Sequence, residues 1–132
     1  FHVEAKSDIQ KTIDKINGAG VKAGLVIKPN TPASAVFPYL KDIYMVLIMT
    51  VNPGFGGQKL IPYTLDKVKE LKALLNREKL KVDIEVDGGI NLSNVEEAMD
   101  AGANIIVAGS AVFKGDIEQN VTGFLDVMQN TL

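Results

Sequence analysis

The sequence predicts an α/β fold of parallel strands, each followed by a helix. Three observations carry this. Along all 132 residues, short strand-like apolar runs alternate with runs at helical spacing. Turns rich in glycine or proline separate most of these runs. The central run Met45-Val46-Leu47-Ile48-Met49 is continuously apolar, as a strand covered on both faces requires.

Phe1 to Ala5 is short and alternating, a strand. Ser7 can N-cap the next helix, which carries Ile9, Ile13 and Ile16 and ends at Gly18 or Gly20. Ala23 to Ile27 is the second strand, closed by Pro29. Thr31-Pro32 reads as an N-cap followed by proline at the first helical position, opening a helix to about Leu40. After the third strand, Met45 to Met49, comes the loop Asn52-Pro53-Gly54-Phe55-Gly56-Gly57. A helix from Tyr63 to Glu78 follows, with Leu65, Val68, Leu71, Leu74 and Leu75 as its apolar stripe. Val82 to Val86 is a strand ending at Asp87-Gly88-Gly89. Ser93 with Glu96 forms a capping box, and Gly102 stops that helix. Ile105 to Ala108 is the fifth strand, ending at Gly109-Ser110. The last helix places Ile117, Val121, Phe124, Leu125 and Met128 on one face.

Five such units, read as one domain over residues 1–132, suit either part of a barrel or an open doubly wound sheet. Both place ligands at the C-terminal strand ends. No G-x-G-x-x-G follows the first strand, which argues against a dinucleotide. A complete barrel needs eight units over about 250 residues. The chain also opens on a strand-like segment without an initiator Met or a polar lead-in, so a truncated chain is expected.

Composition narrows the function classes. The net charge is -2 and no basic run stands out, which argues against nucleic acid as a partner. The absence of cysteine excludes disulfides and thiolate metal sites and fits a cytoplasmic protein. The longest apolar runs fall far short of the roughly 18 residues of a membrane span.

In Asp83-Ile84-Glu85-Val86-Asp87, period two puts Ile84 and Val86 on one face and the three acids on the other. In a barrel, Glu85 and Asp87 would point inward, with Asp87 at the catalytic end. Asp87 could equally cap a strand-to-helix turn. Gly54, Gly56 and Gly57 could line a phosphate loop with N–H groups, or form a flexible turn. Gly88-Gly89 and Gly109-Ser110 follow the last two strands, where such barrels frequently grip phosphate. His2 shares a strand face with Glu4, and a satisfied interior histidine is its default reading. Lys28 either pairs with an interior acid or is solvated.

These residues, together with the runs Phe1-His2-Val3-Glu4-Ala5, Gly24-Leu25-Val26-Ile27-Lys28-Pro29, Val51-Asn52-Pro53-Gly54-Phe55-Gly56-Gly57-Gln58, Glu85-Val86-Asp87-Gly88-Gly89 and Ala108-Gly109-Ser110-Ala111, resemble the ribulose-phosphate 3-epimerases. The run from Met49 to Gln58 is the most specific. The resemblance implies the C-terminal part of a (β/α)8 TIM barrel. It implies interconversion of D-ribulose 5-phosphate and D-xylulose 5-phosphate by two carboxylates, through an enediolate on a divalent cation (Zn, Fe, Mn or Co). Asp87 then matches the acid that is both proton donor and metal ligand. Met49 matches a methionine near the enediolate. Gly54, Phe55, Gly56, Gly57, Gly88, Gly89, Gly109 and Ser110 match substrate contacts, mostly around the phosphate. The family's other aspartate, its metal histidines and a substrate-binding serine lie on strands absent here, and His2 matches neither metal histidine. The partner implied is a small sugar phosphate, and unpaired edge strands favour a homo-oligomer. The alternatives are an epimerase for a ketohexose 6-phosphate, a phosphate-gripping barrel lyase or decarboxylase, and a non-catalytic phosphate-binding half-barrel.

Overall fold

The computed structural model describes residues 1–52, 54 and 56–131. The order of elements is α1 (Ile9–Gly18), β1 (Gly24–Ile27), a 3-10 helix (Ala33–Tyr39), β2 (Met45–Met49), α2 (Thr64–Arg77), β3 (Asp83–Asp87), α3 (Val95–Ala101), β4 (Ile105–Val107), α4 (Ser110–Phe113) and α5 (Ile117–Thr131). The four strands form one parallel sheet in sequence order. The α/β class, the parallel strands and the alternation with helices are those of the sequence reading, and the arrangement is part of a (β/α)8 barrel wall.

The first segment differs from its predicted strand. It meets the sheet through a single parallel bridge, His2 to Val26. Two bonds flank that bridge, Val26 N to Phe1 O at 2.8 Å and Val3 N to Val26 O at 2.9 Å. The chain turns away at once, with Ala5 N bonded to His2 O, so the pairing cannot extend.

Period two divides the sheet. Leu25, Ile27, Val46, Ile48, Ile84 and Val86 are fully buried against the helices. They meet Val68, Leu71 and Leu75 of α2, and Val95 and Ala98 of α3, in one core. The opposite face carries Val26, Met45, Leu47, Met49, Glu85, Asp87 and Val107, all half-buried. Registers Leu47–Glu85 and Met49–Asp87 stack this face in layers, with Asp87 in the layer nearest the C-terminal strand ends.

Helix boundaries show where local chemistry competed. Asp8, not Ser7, caps α1, accepting from Lys11 N at 3.1 Å. Pro32 takes the cap position of the next helix, which winds as a 3-10 helix with Pro38 inside it. A proline there lacks the N–H that an α-helical turn would use. Ser93 donates to Asn91 Oδ1 at 2.6 Å, so its hydroxyl is spent and Asn94 becomes the cap position of α3. On α5 the predicted stripe splits: Phe124 is buried, whereas Ile117, Val121 and Leu125 are exposed.

Candidate functional site

The end of β2 and the end of β3 are tied together by Thr50, which is fully buried. Its N–H donates to Asp87 O at 3.0 Å and its hydroxyl to Gly88 O at 2.5 Å. Its carbonyl accepts from Ile61 N at 2.8 Å, drawing the far end of the glycine loop back onto the sheet. Gln58 Nε2 donates to Asn52 O at 2.7 Å and closes that loop from within. Nothing in the hydropathy pattern marked Thr50, because a lone threonine after an apolar run has no periodic signature.

The returning loop lies directly on Gly88 and Gly89. Both have positive φ, +126° and +69°. A Cβ on Gly88 would stand 2.4 Å from Val51 Cγ2, and one on Gly89 would stand 2.2 Å from Leu60 N. The close approach that these glycines permit is therefore the chain's own loop, in addition to any ligand. Gly109 is the opposite case, since a Cβ there meets nothing within 4 Å. Gly54, Gly56 and Gly57 likewise face open space.

Together these ends enclose a cavity of about 960 Å³. Met49, Gly54, Gly56, Gly57, Asp87, Gly88, Gly89, Gly109 and Ser110 all line it. Phe55 lies outside the described residues. The cavity thus gathers residues from three strand ends that stand far apart in the sequence. Lys59, Asn91, Asn94 and Lys114 also line it, and sequence reading missed them. Lys59 and Lys114 add positive charge where the reading had counted on backbone N–H groups alone. That addition matters because α4 is a single turn, four residues long, and the helix dipole grows from aligned peptides.

Below Asp87 on the same strand face, Glu85 is partly buried. Burial and the neighbouring Asp87 charge push its carboxyl above the ordinary carboxylate range. Among the described residues no three His, Asp or Glu side chains group closely enough to hold a metal. Asp87 supplies one hard oxygen donor, and a complete divalent site needs donors from elsewhere. His2 is set apart: its Nδ1 is buried without a hydrogen bond, 3.6 Å from Glu4 Oε2, so the expectation of a satisfied histidine is not met at that atom.

If the cavity grips phosphate, Gly109→Val should intrude on ligand space, since its Cβ meets no protein atom within 4 Å. Chemical-shift titration with inorganic phosphate should move the amides of Gly88, Gly89, Gly109 and Ser110 in the parent chain and not in the variant. Movement only at other amides would place the anion elsewhere.

Comparison with known proteins is consistent across sequence and structure. The model of the ribulose-phosphate 3 epimerase family matches residues 1–113. The ribulose-phosphate 3-epimerase of Bacillus subtilis is 49% identical over 114 residues, covering 85% of this chain and 52% of that protein. That of Buchnera aphidicola is 40% identical over 131 residues, covering 98% of this chain and 58% of that protein. That of Escherichia coli K12 is 43% identical over 113 residues, covering 86% and 50%. The chain spans about half the length of the curated relatives it matches. Two solved structures share the fold at low identity. A mutant flavocytochrome b2 with pyruvate bound has a TM-score of 0.61 at 16% identity, over 96% of this chain and 33% of that one. Native KDPGal has a TM-score of 0.59 at 20% identity, over 92% and 54%.

Proposed function

The chain belongs to the ribulose-phosphate 3-epimerase family, and on that premise we propose that it forms the C-terminal portion of a barrel enzyme interconverting D-ribulose 5-phosphate and D-xylulose 5-phosphate in the cytoplasm. The observation that carries this reading is the convergence of Asp87 and the three glycine-containing strand ends on one cavity. A sugar phosphate laid there would have its phosphate against the loop amides, Lys59 and Lys114. Remote phosphate binding of this kind orients the reacting carbon. Asp87 would hold or deliver the proton at carbon 3, and Met49 in the same layer would give the sugar an apolar wall.

Inversion at a carbon needs proton transfer on both faces. Asp87 serves one face. The other acid in the cavity wall, Glu97, stands on the exposed side of α3 rather than at a strand end. A divalent cation would also draw donors beyond the described residues, with Asp87 as the ligand this chain contributes. The exposed Phe113, Ile117 and Leu125 favour association of the isolated chain into homo-oligomers. Among the described residues no helix is long and apolar enough to cross a membrane.

The isolated chain should therefore show no epimerisation of ribulose 5-phosphate, while a complete barrel carrying it should turn over at about 1 s⁻¹ or faster. Turnover by the isolated chain would refute the incomplete site. A folded complete barrel that leaves the carbon-3 proton unexchanged would refute the reaction.

A further inference from the structure

Among the described residues Lys67 is the one charged side chain that is buried, 9% exposed in the first half of α2. Its ammonium donates to two carbonyls of a single loop, Lys28 O at 2.8 Å and Thr31 O at 2.6 Å. The same loop is held by its donors as well. Lys28 N donates to Glu4 Oε1 at 3.2 Å, and the Thr31 hydroxyl donates to the same oxygen. Thr31 N closes the turn onto Lys28 O at 3.0 Å. A cation thus grips the acceptors of the loop and an anion grips its donors, so four polar groups of the Lys28–Thr31 turn depend on two side chains distant in sequence. The sequence reading had looked to the Lys28 side chain for a role. The structure instead uses the Lys28 backbone.

The place of this clamp matters for the site. Ile27 pairs with Ile48, so Lys28 leaves the sheet at the level of Met49. Met49 pairs in turn with Asp87. Helix α2, which carries Lys67, is entered from the glycine loop that Thr50 draws back through Ile61. The Lys67 ammonium therefore links the loop after β1 to the helix that anchors the cavity loop.

We propose that Lys67 is a positioning residue: with Glu4 it fixes the Lys28–Thr31 turn against α2 and so braces the strand end beside Met49, which lines the cavity. This rests on the epimerase reading given above. Burying an unpartnered ammonium is costly, and the two carbonyls with the nearby Glu4 charge offset that cost. Burial lowers the Lys67 pKa and the Glu4 charge opposes the shift. Burial alone would raise the Glu4 carboxyl, but its hydrogen bonds from Thr31 and Lys28 hold it below the ordinary range.

The test uses a complete barrel carrying this sequence. Lys67→Met keeps the length and apolar stem of the side chain and removes its donors. It should lower kcat/KM per folded enzyme roughly ten- to hundredfold, the effect of a small misplacement away from the chemistry. Lys67→Arg should restore most of it. Amide exchange at Lys28 and Thr31 should quicken in Lys67→Met. Unchanged kcat/KM per folded enzyme, even with a lowered melting temperature, overturns the positioning role and leaves a structural one. Should Lys67→Met fail to fold, Glu4→Gln reads the clamp from its other half, and an unchanged kcat/KM there overturns the proposal equally. An inactive parent barrel refutes the epimerase reading instead. The clamp is then judged by exchange at Lys28 and Thr31, where an unchanged rate overturns it.

Discussion

Asp87→Asn in a complete barrel should abolish nearly all epimerisation while leaving the fold in place. The loss expected from removing the proton-transfer group alone is about 10²–10⁴-fold. An amide is nearly isosteric with a carboxylate but cannot pass the proton, and it is a poorer ligand for a hard cation. The structural duty of Asp87 lies in its backbone, whose carbonyl accepts from Thr50 N at 3.0 Å. The substitution leaves that bond untouched. The measurement is a rate of carbon-3 proton exchange from deuterated solvent, beside a thermal melt. A near-parent rate with an unchanged melt would make Asp87 a structural acid and move the chemistry elsewhere.

Gly89→Ala should have the largest effect on stability. The added Cβ would stand 2.2 Å from Leu60 N and 2.8 Å from Leu60 Cα, which are backbone atoms and cannot rotate away. The residue also sits at φ +69°, where an L side chain is strained. Backbone strain of this kind costs about 1–3 kcal/mol, and overpacking about 1–3 kcal/mol. Their sum is on the order of half the 5–15 kcal/mol that holds a typical domain together. Urea denaturation of the chain should show the midpoint fall sharply for Gly89→Ala. For Gly109→Ala, which meets no atom within 4 Å, it should barely move. Equal midpoints would mean that the loop through Leu60 is not seated on β3.

The periodic parts of the molecule were legible from the sequence. Met45–Met49 and Asp83–Asp87 are strands, and in the second Ile84 and Val86 are buried on the one face that period two assigned them. That phase alone put Glu85 and Asp87 on the face away from the helices. The stripe of α2 was equally legible, since Leu65, Val68, Leu71 and Leu75 are all buried. Local polar competition was harder to read. Ser7, Thr31 and Ser93 each had the chemistry of a cap, yet Asp8, Pro32 and Asn94 took those positions. Thr31 and Ser93 gave their hydroxyls to Glu4 and Asn91 instead. A capping preference of about 1 kcal/mol is readily outbid by such alternatives.

The alternation of strand and helix, the face on which Asp87 stands, and the glycines at successive strand ends are all written in local pattern. These follow from side-chain period and backbone freedom, which are properties of neighbouring residues. Why Gly88 and Gly89 are glycine emerges only on folding, since the obstacles are Val51 and Leu60 from an earlier part of the chain. The tertiary structure alone showed that Thr50 ties β2 to β3, that Lys59 and Lys114 reach the cavity, and that Lys67 is buried beneath the turn at Lys28. Each of these depends on groups that meet only when parallel strands are brought side by side. No periodicity along one segment encodes such a meeting.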